Sequence, residues 1–166
     1  PYYYAVTLDK YKTKVEMTST TRCGHLRITF PPSEPAYLSI HAHPQGAFIQ
    51  MRPQEKKVYG FTRANNGGVP ENFACYFVMA FDQPFSCAGL SADSLLHQDQ
   101  QELAADQVFA FLRFAPGKSV TVRIATSFIS LEQAEQNLAA EIGDRSFIST
   151  RNRSRNLWEK ELQRIE

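Results

Sequence analysis

The chain is poor in the features that announce a chemistry by themselves. Its three cysteines, Cys23, Cys75 and Cys87, are an odd number without metal spacing, so no closed disulfide framework is available to them. They read as buried or free thiols, and Cys75, in the most apolar segment, is expected to be buried, reduced and quiet. No charge dominates: 18 Lys and Arg against 17 Asp and Glu leave a net charge of +1, which argues against a nucleic-acid or membrane surface driven by charge. No apolar run approaches a membrane span. No GxSxG, HExxH or P-loop occurs, and no loop of alternating acids suits calcium. Glycoside hydrolysis needs two carboxyl groups across the scissile bond, and no such pair stands out. His41 and His43, two apart in strand-like sequence, would share a face as a metal pair does. No third ligand has a recognisable spacing and His25 and His97 are remote, so no metal site is assigned.

What is present is a core: 43% hydrophobic and 12% aromatic residues over 166 positions suit one domain of ordinary size with an appendage. β-branched and aromatic runs predict strands over Tyr2–Leu8, Lys12–Met17 and His25–Phe30. In the last of these Leu26, Ile28 and Phe30 share one face; the partial alternation of Thr13–Met17 predicts one wet face. Further strands are predicted over Ala36–Ala42, Ala47–Arg52, Lys57–Arg63, Phe73–Asp82, Gln107–Phe114 and Ser119–Ser130. Ser91–Asp106 is polar, and reads as a loop or a short surface helix around Leu95–Leu103. The period changes at Ser130, where Ser130 and Gln133 fit a capping box. Leu131, Ala134, Leu138 and Ile142 then recur at helical spacing, closed by Gly143. A second helix follows, with a stripe of Phe147, Arg151, Arg155 (or Ser154), Trp158, Leu162 and Ile165 that is expected to pack on the sheet or on a neighbour.

Between the two central strands lies Asn65-Asn66-Gly67-Gly68 with Pro70, a composition for backbone at positive φ and longer than a tight hairpin needs. Its exposed amides and arginine could meet hydroxyl groups and a ring could stack, which makes Arg63, Asn65, Asn66 and Phe73 (with Phe61) the binding candidates, and Arg22 a weaker one. The same loop could equally be a connector.

Gly60-Phe61-Thr62-Arg63, Asn66-Gly67-Gly68-Val69-Pro70 and Tyr76-Phe77 through Phe81-Asp82-Gln83-Pro84-Phe85 resemble the N-terminal sandwich domain of the family-92 glycoside hydrolases, the calcium-dependent exo-acting α-mannosidases. Thr21-Arg22-Cys23-Gly24 and Phe128-Ile129-Ser130-Leu131-Glu132-Gln133-Ala134 add to the resemblance. It implies a mainly β fold, an antiparallel β-sandwich of the galactose mutarotase-like supersandwich type over residues 1–130, followed by two helices over 131–166 that lead toward a helical catalytic domain. The chain opens on Pro1 in strand-like sequence and reads as an excised piece. By the resemblance, general acid, base and calcium ligands lie in that helical domain, so no cofactor is expected in this chain. Its partners are then that domain, docked through Phe147, Arg151, Arg155 and Trp158, and a mannose-containing glycan, in a periplasmic or secreted setting. Neither nucleic acid nor membrane is expected, and a bare sheet edge could pair into a homodimer or be closed by residues 86–107. A free-standing carbohydrate-binding or scaffolding sandwich is the reading from another class.

Overall fold

The computed structural model describes residues 1–164. Twelve strands come first: β1 (Tyr4–Leu8), β2 (Thr13–Ser19), β3 (Cys23–Thr29), β4 (Ala36–Ala42), β5 (Ala47–Arg52), β6 (Lys57–Thr62), β7 (Cys75–Phe81), β8 (Ser86–Ala92), β9 (Leu95–His97), β10 (Glu102–Ala105), β11 (Val108–Phe114) and β12 (Ser119–Ser127). Two helices follow, α1 (Leu131–Glu141) and α2 (Phe147–Leu162). The strands form an eight-stranded sheet in the order β1-β2-β3-β12-β7-β6-β5-β10 and a four-stranded sheet in the order β4-β11-β8-β9. Every ladder is antiparallel.

Alternation sorts the side chains between two cores. Ile49, Met51, Val58, Phe81, Val120 and Val122 of the large sheet meet Leu90, Ala110, Leu112 and Phe114 of the small one. The intervening residues, Cys23, Tyr59, Val78, Ala80 and Ala125, point the other way and meet Ala134, Leu138 and Ile142 of α1. The middle of the large sheet is therefore covered on both faces, which explains why β7 reads as an unbroken apolar run. Gly60 sits where this packing is tightest: a Cβ there would overlap the Phe48 carbonyl oxygen and the Phe77 ring.

Three expectations change. Leu95–Leu103 is no helix: β9 pairs with β8 and β10 with β5, because the sheet edge beside β5 offers backbone partners that outweigh the weak local pattern. Residues 86–107 thus do close that side of the sandwich. In β2 the side turned toward α2 is closed by polar residues: Glu16 and Thr18 are buried while Met17 is 44% exposed. Glu16 can be buried because Arg27 and Tyr3 bond its carboxylate. Cys75 is half-buried, and Cys23, under α1, is the buried thiol. In α2 the buried stripe is Phe147, Thr150 and Ser154, shifted from the expected one; Trp158 and Leu162 are 44% and 51% exposed, and Ile165 lies outside the described residues. Small polar side chains let α2 lie close to β2 and β3, which a search for large apolar positions overlooks.

Candidate functional site

One end of the sandwich gathers the β4–β5 turn, the β6–β7 loop and the β10–β11 turn. Gln45 and Gly46 adopt positive φ of 82° and 101°, turning the Gln45 carboxamide toward Asn65. Gln45 Oε1 accepts from the Asn65 backbone N–H (3.1 Å) and from Asn65 Nδ2 (3.2 Å), and Gln45 Nε2 donates to the Asn65 carbonyl (3.1 Å). Asn65 Nδ2 also donates to the Arg63 carbonyl (2.9 Å), while its Oδ1 accepts from the Gly67 N–H (2.7 Å). Asp106 holds the same turn, its carboxylate and carbonyl accepting from the Gln45 and Gly46 N–H groups at 3.0 Å each. Asn65 is therefore the keystone of a latch, its polar atoms turned inward. Gly67 and Gly68 follow at φ 91° and 75° and lead into an exposed arch over Asn66–Asn72.

Beside the latch runs an aromatic row on the outer face of the large sheet. Phe61 lies 5.8 Å from Phe48 in a stacked pair and 5.8 Å from Tyr76 edge-on. The Arg63 guanidinium sits 5.7 Å from the Phe61 ring centre, and its Nη1 reaches the Glu71 carbonyl at 3.4 Å. Across the loop Phe73 stacks on Phe128 at 5.4 Å. Phe128 and Ile129 are 69% and 74% exposed. The structure thus brings Arg63 and Phe61 together, places Asn66 in the open arch, and joins Phe73 to Phe128. Sequence reading missed Gln45, Asp106, Phe48, Tyr76 and Phe128. The antiparallel pairing of β5, β6 and β7 is what sets the aromatic row side by side.

A second concavity, of about 500 Å³, lies between the β2–β3 turn and the two helices, lined among others by Thr20, Arg22, Glu141, Arg153, Leu157 and Trp158. Arg22 is a strut here: its Nε donates to Glu141 Oε1 at 2.6 Å and its backbone N–H to Oε2 at 3.0 Å. Burial pushes the Glu141 carboxyl up, but the bonds from Thr20 and Arg22 outweigh it and hold it low. Of the expected docking residues, Phe147 is buried, and the Arg151 guanidinium lies 5.3 Å from the Tyr3 ring. Arg155 turns outward to Glu159 at 3.6 Å, and Trp158 walls the concavity.

Carboxylates elsewhere act as fasteners. Glu135 of α1 accepts from Lys57 Nζ (2.7 Å) and the Tyr59 hydroxyl (2.6 Å), which hold its carboxyl below the usual range. The bidentate Arg27 bonds, helped by Tyr3, bring Glu16 down to about 2. His41 stacks on Phe109 (4.0 Å) and lies tilted against the His43 ring at 4.5 Å. Among the described residues no three His, Cys, Asp or Glu side chains cluster to hold an ion, and none of the described helices is long and apolar enough to cross a membrane.

A family model described as the glycosyl hydrolase family 92 N-terminal domain matches residues 1–127. No curated protein matches the chain. Among solved structures, a family GH92 inverting mannosidase from Bacteroides thetaiotaomicron superposes with a TM-score of 0.94 at 36% identity, over 99% of this chain and 22% of that one. A family GH92 α-mannosidase from the same organism, in complex with mannoimidazole, gives 0.84 at 28% identity, over 98% of this chain and 23% of that one. The chain spans less than a quarter of the length of these two relatives.

Proposed function

The chain belongs to the glycosyl hydrolase family 92 N-terminal domains, and from that premise we propose that it serves as the accessory sandwich of an α-mannosidase rather than as an enzyme by itself. The whole protein releases terminal α-linked mannose with inversion and depends on calcium. The observation that carries this reading is the superposition of 99% of this chain on 22% of an inverting mannosidase at 36% identity. Inversion needs one carboxyl held protonated and a second about 6.5–9.5 Å away to activate water. The carboxyls whose affinity is shifted here, Glu16, Glu132, Glu135 and Glu141, are all shifted downward, which suits charged fasteners and not a general acid. Calcium takes about six to eight oxygen ligands, and the residues present do not fit it, so no step is assigned to it in this chain. The acid, base and metal ligands belong to a helical domain of the same polypeptide. This chain offers that domain the Trp158 concavity, and offers a mannose-containing glycan Arg63, Asn66, Phe73 and Phe128 at the loop end.

Mannose release is the test, measured on residues 1–166 and on the longer protein, each with and without calcium. The expected result is turnover by the longer protein alone. Calcium-dependent turnover by residues 1–166 would overturn the reading.

A further inference from the structure

The loop between β6 and β7 holds the single Asn-Gly step of the chain, Asn66-Gly67. Such a step carries a reaction of its own, in which the glycine backbone nitrogen attacks the side-chain carbonyl carbon of the asparagine before it. Glycine makes the attack fastest, because it has no Cβ to obstruct the approach and its backbone turns freely. The surroundings leave the way open. Asn66, Gly67 and Gly68 are exposed, and a Cβ at Gly67 or Gly68 would meet nothing within 4 Å. The other asparagines precede Asn66, Phe73, Leu138, Arg153 and Leu157, whose side chains shield the nitrogen. One contact opposes the reaction at Asn66. The Gly67 N–H donates to Asn65 Oδ1 at 2.7 Å, and that hydrogen is the proton that must leave before the nitrogen can attack. Asn65 is fixed in its turn, its Nδ2 donating to the Arg63 carbonyl at 2.9 Å and to Gln45 Oε1 at 3.2 Å. The carboxamide that holds the proton is thus locked in the latch, and the one that reacts stands outside it.

We propose that Asn66 is a site of spontaneous deamidation and that Asn65 restrains it. The Gly67 nitrogen gives its proton to hydroxide and bonds to Asn66 Cγ, closing a five-membered succinimide ring. The Cγ–Nδ2 bond breaks, and the amide nitrogen leaves as ammonia with a proton from water, which restores the hydroxide. Water then opens the ring at either of its two carbonyl carbons. Cleavage between Cγ and the ring nitrogen leaves aspartate; cleavage at the backbone carbonyl leaves isoaspartate, with the chain running through Cβ and Cγ. Either product replaces a carboxamide, which donates and accepts, by a carboxylate that only accepts, and cancels the net charge of +1. The isoaspartate also lengthens the backbone by one carbon and shifts Gly67 away from Asn65, reshaping the arch. The chemistry needs only water; its effect on a bound glycan rests on the reading that this loop meets the sugar.

Peptide mapping by mass spectrometry, with aspartate and isoaspartate separated by chromatography, follows the conversion at neutral pH. In the longer protein unfolded in guanidinium chloride, Asn66 should convert ahead of every other asparagine in residues 1–166. In the folded protein it should convert about fivefold more slowly, the factor that one hydrogen bond on the leaving proton supplies. Asn65→Ala should bring back the fast rate. Asn65→Asp keeps an oxygen for the Gly67 N–H while losing the Nδ2 bonds to Arg63 and Gln45, and should stay slow. The pair separates the hydrogen bond from a general loosening of the loop. No aspartate or isoaspartate at position 66 of the unfolded chain overturns the site. Folded Asn65→Ala no faster than the unaltered protein overturns the restraint, and so does Asn65→Asp as fast as Asn65→Ala.

Discussion

His25 has the most constrained environment of any titratable side chain described. It is fully buried between β3 and α2, its ring 5.5 Å from Phe147 and its Nδ1 3.0 Å from Thr150 Oγ1. The Thr150 hydroxyl donates to the Ser146 carbonyl at 3.3 Å, so Nδ1–H donates to Thr150 and Nε2, which has no partner, is a bare lone pair. Burial, with help from the Arg123 charge, lowers the His25 pKa to about 4. A base whose folded pKa lies below its unfolded value near 6.5 takes up its proton more readily when unfolded. Its contribution is therefore complete above pH 6.5 and is lost as pH falls toward 4, by on the order of 3 kcal/mol. Glu16, lowered to about 2, acts in the next window: its stabilisation is present above pH 4.5 and is lost as pH falls toward 2. Urea unfolding followed from pH 7 to pH 3 should show falling stability throughout, and His25→Gln should flatten the arm between pH 6.5 and 4 while leaving the lower arm in place. An unchanged upper arm in that variant would place the proton uptake elsewhere. The cysteines make a second residue-level test. Burial pushes the Cys23 thiol up to about 11, and its Sγ lies 3.5 Å from the Asn137 carbonyl under α1. Thiol labelling of the folded protein should reach half-buried Cys75 and Cys87 well before Cys23.

Among the elements, β6 depends on a glycine and α1 on its cap. Gly60→Ala places a methyl group against the Phe48 carbonyl and the Phe77 ring, backbone and packed ring that have no free side to yield. A loss of about 2–3 kcal/mol in chemical denaturation is expected, the scale of an overpacked core. Ser130 accepts from the Gln133 N–H at 3.1 Å, and Ser130→Ala should cost about 1 kcal/mol. The cap was legible because its chemistry is local: a hydroxyl must stand three residues before a donor. The paired strands β9 and β10 were not, since what fixes them is the vacant edge of β5 and the partner β8, far away in the chain. The face of α2 was misjudged for a related reason. Thr150 and Ser154 carry no apolar signal, and their burial follows from the closeness of β2 and β3.

For the whole molecule, the family resemblance implied a sandwich, and the alternation in β3 and β12 agreed with it, but neither told that one sheet has twice the strands of the other. The candidate loop was legible through its Asn-Gly composition; its internal wiring was not, because Gln45 and Asp106 come from separate turns. That wiring divides the loop residues into two classes that mannose release by the longer protein should separate. Asn65→Ala opens the latch and should lower both turnover and the melting temperature, the latter by a few degrees for a loss of about 1 kcal/mol. Asn66→Ala and Arg63→Ala touch only the exposed arch and the Phe61 ring, so turnover should fall with the melting temperature unchanged. If turnover in those two variants stays at the wild-type level, residues 63–73 reduce to a connector.

The two fasteners on α1 also set how the molecule bears load. Glu135 grips Lys57 and Tyr59 on β6, and Glu141 grips Thr20 and Arg22 at the β2–β3 turn. Six residues of helix hold them about 9 Å apart, so α1 is pinned at two points and resists torque about its own axis. The far half of α2 has no such rivets, its residues 155–162 being exposed throughout. Tension applied at Leu162 would peel α2 from the sheet one turn at a time, then meet α1 as a rigid crossbar that has to be sheared off both anchors together. A body rigidly joined to α1 would therefore turn with the sandwich as one piece, whereas one joined through the end of α2 would have a hinge.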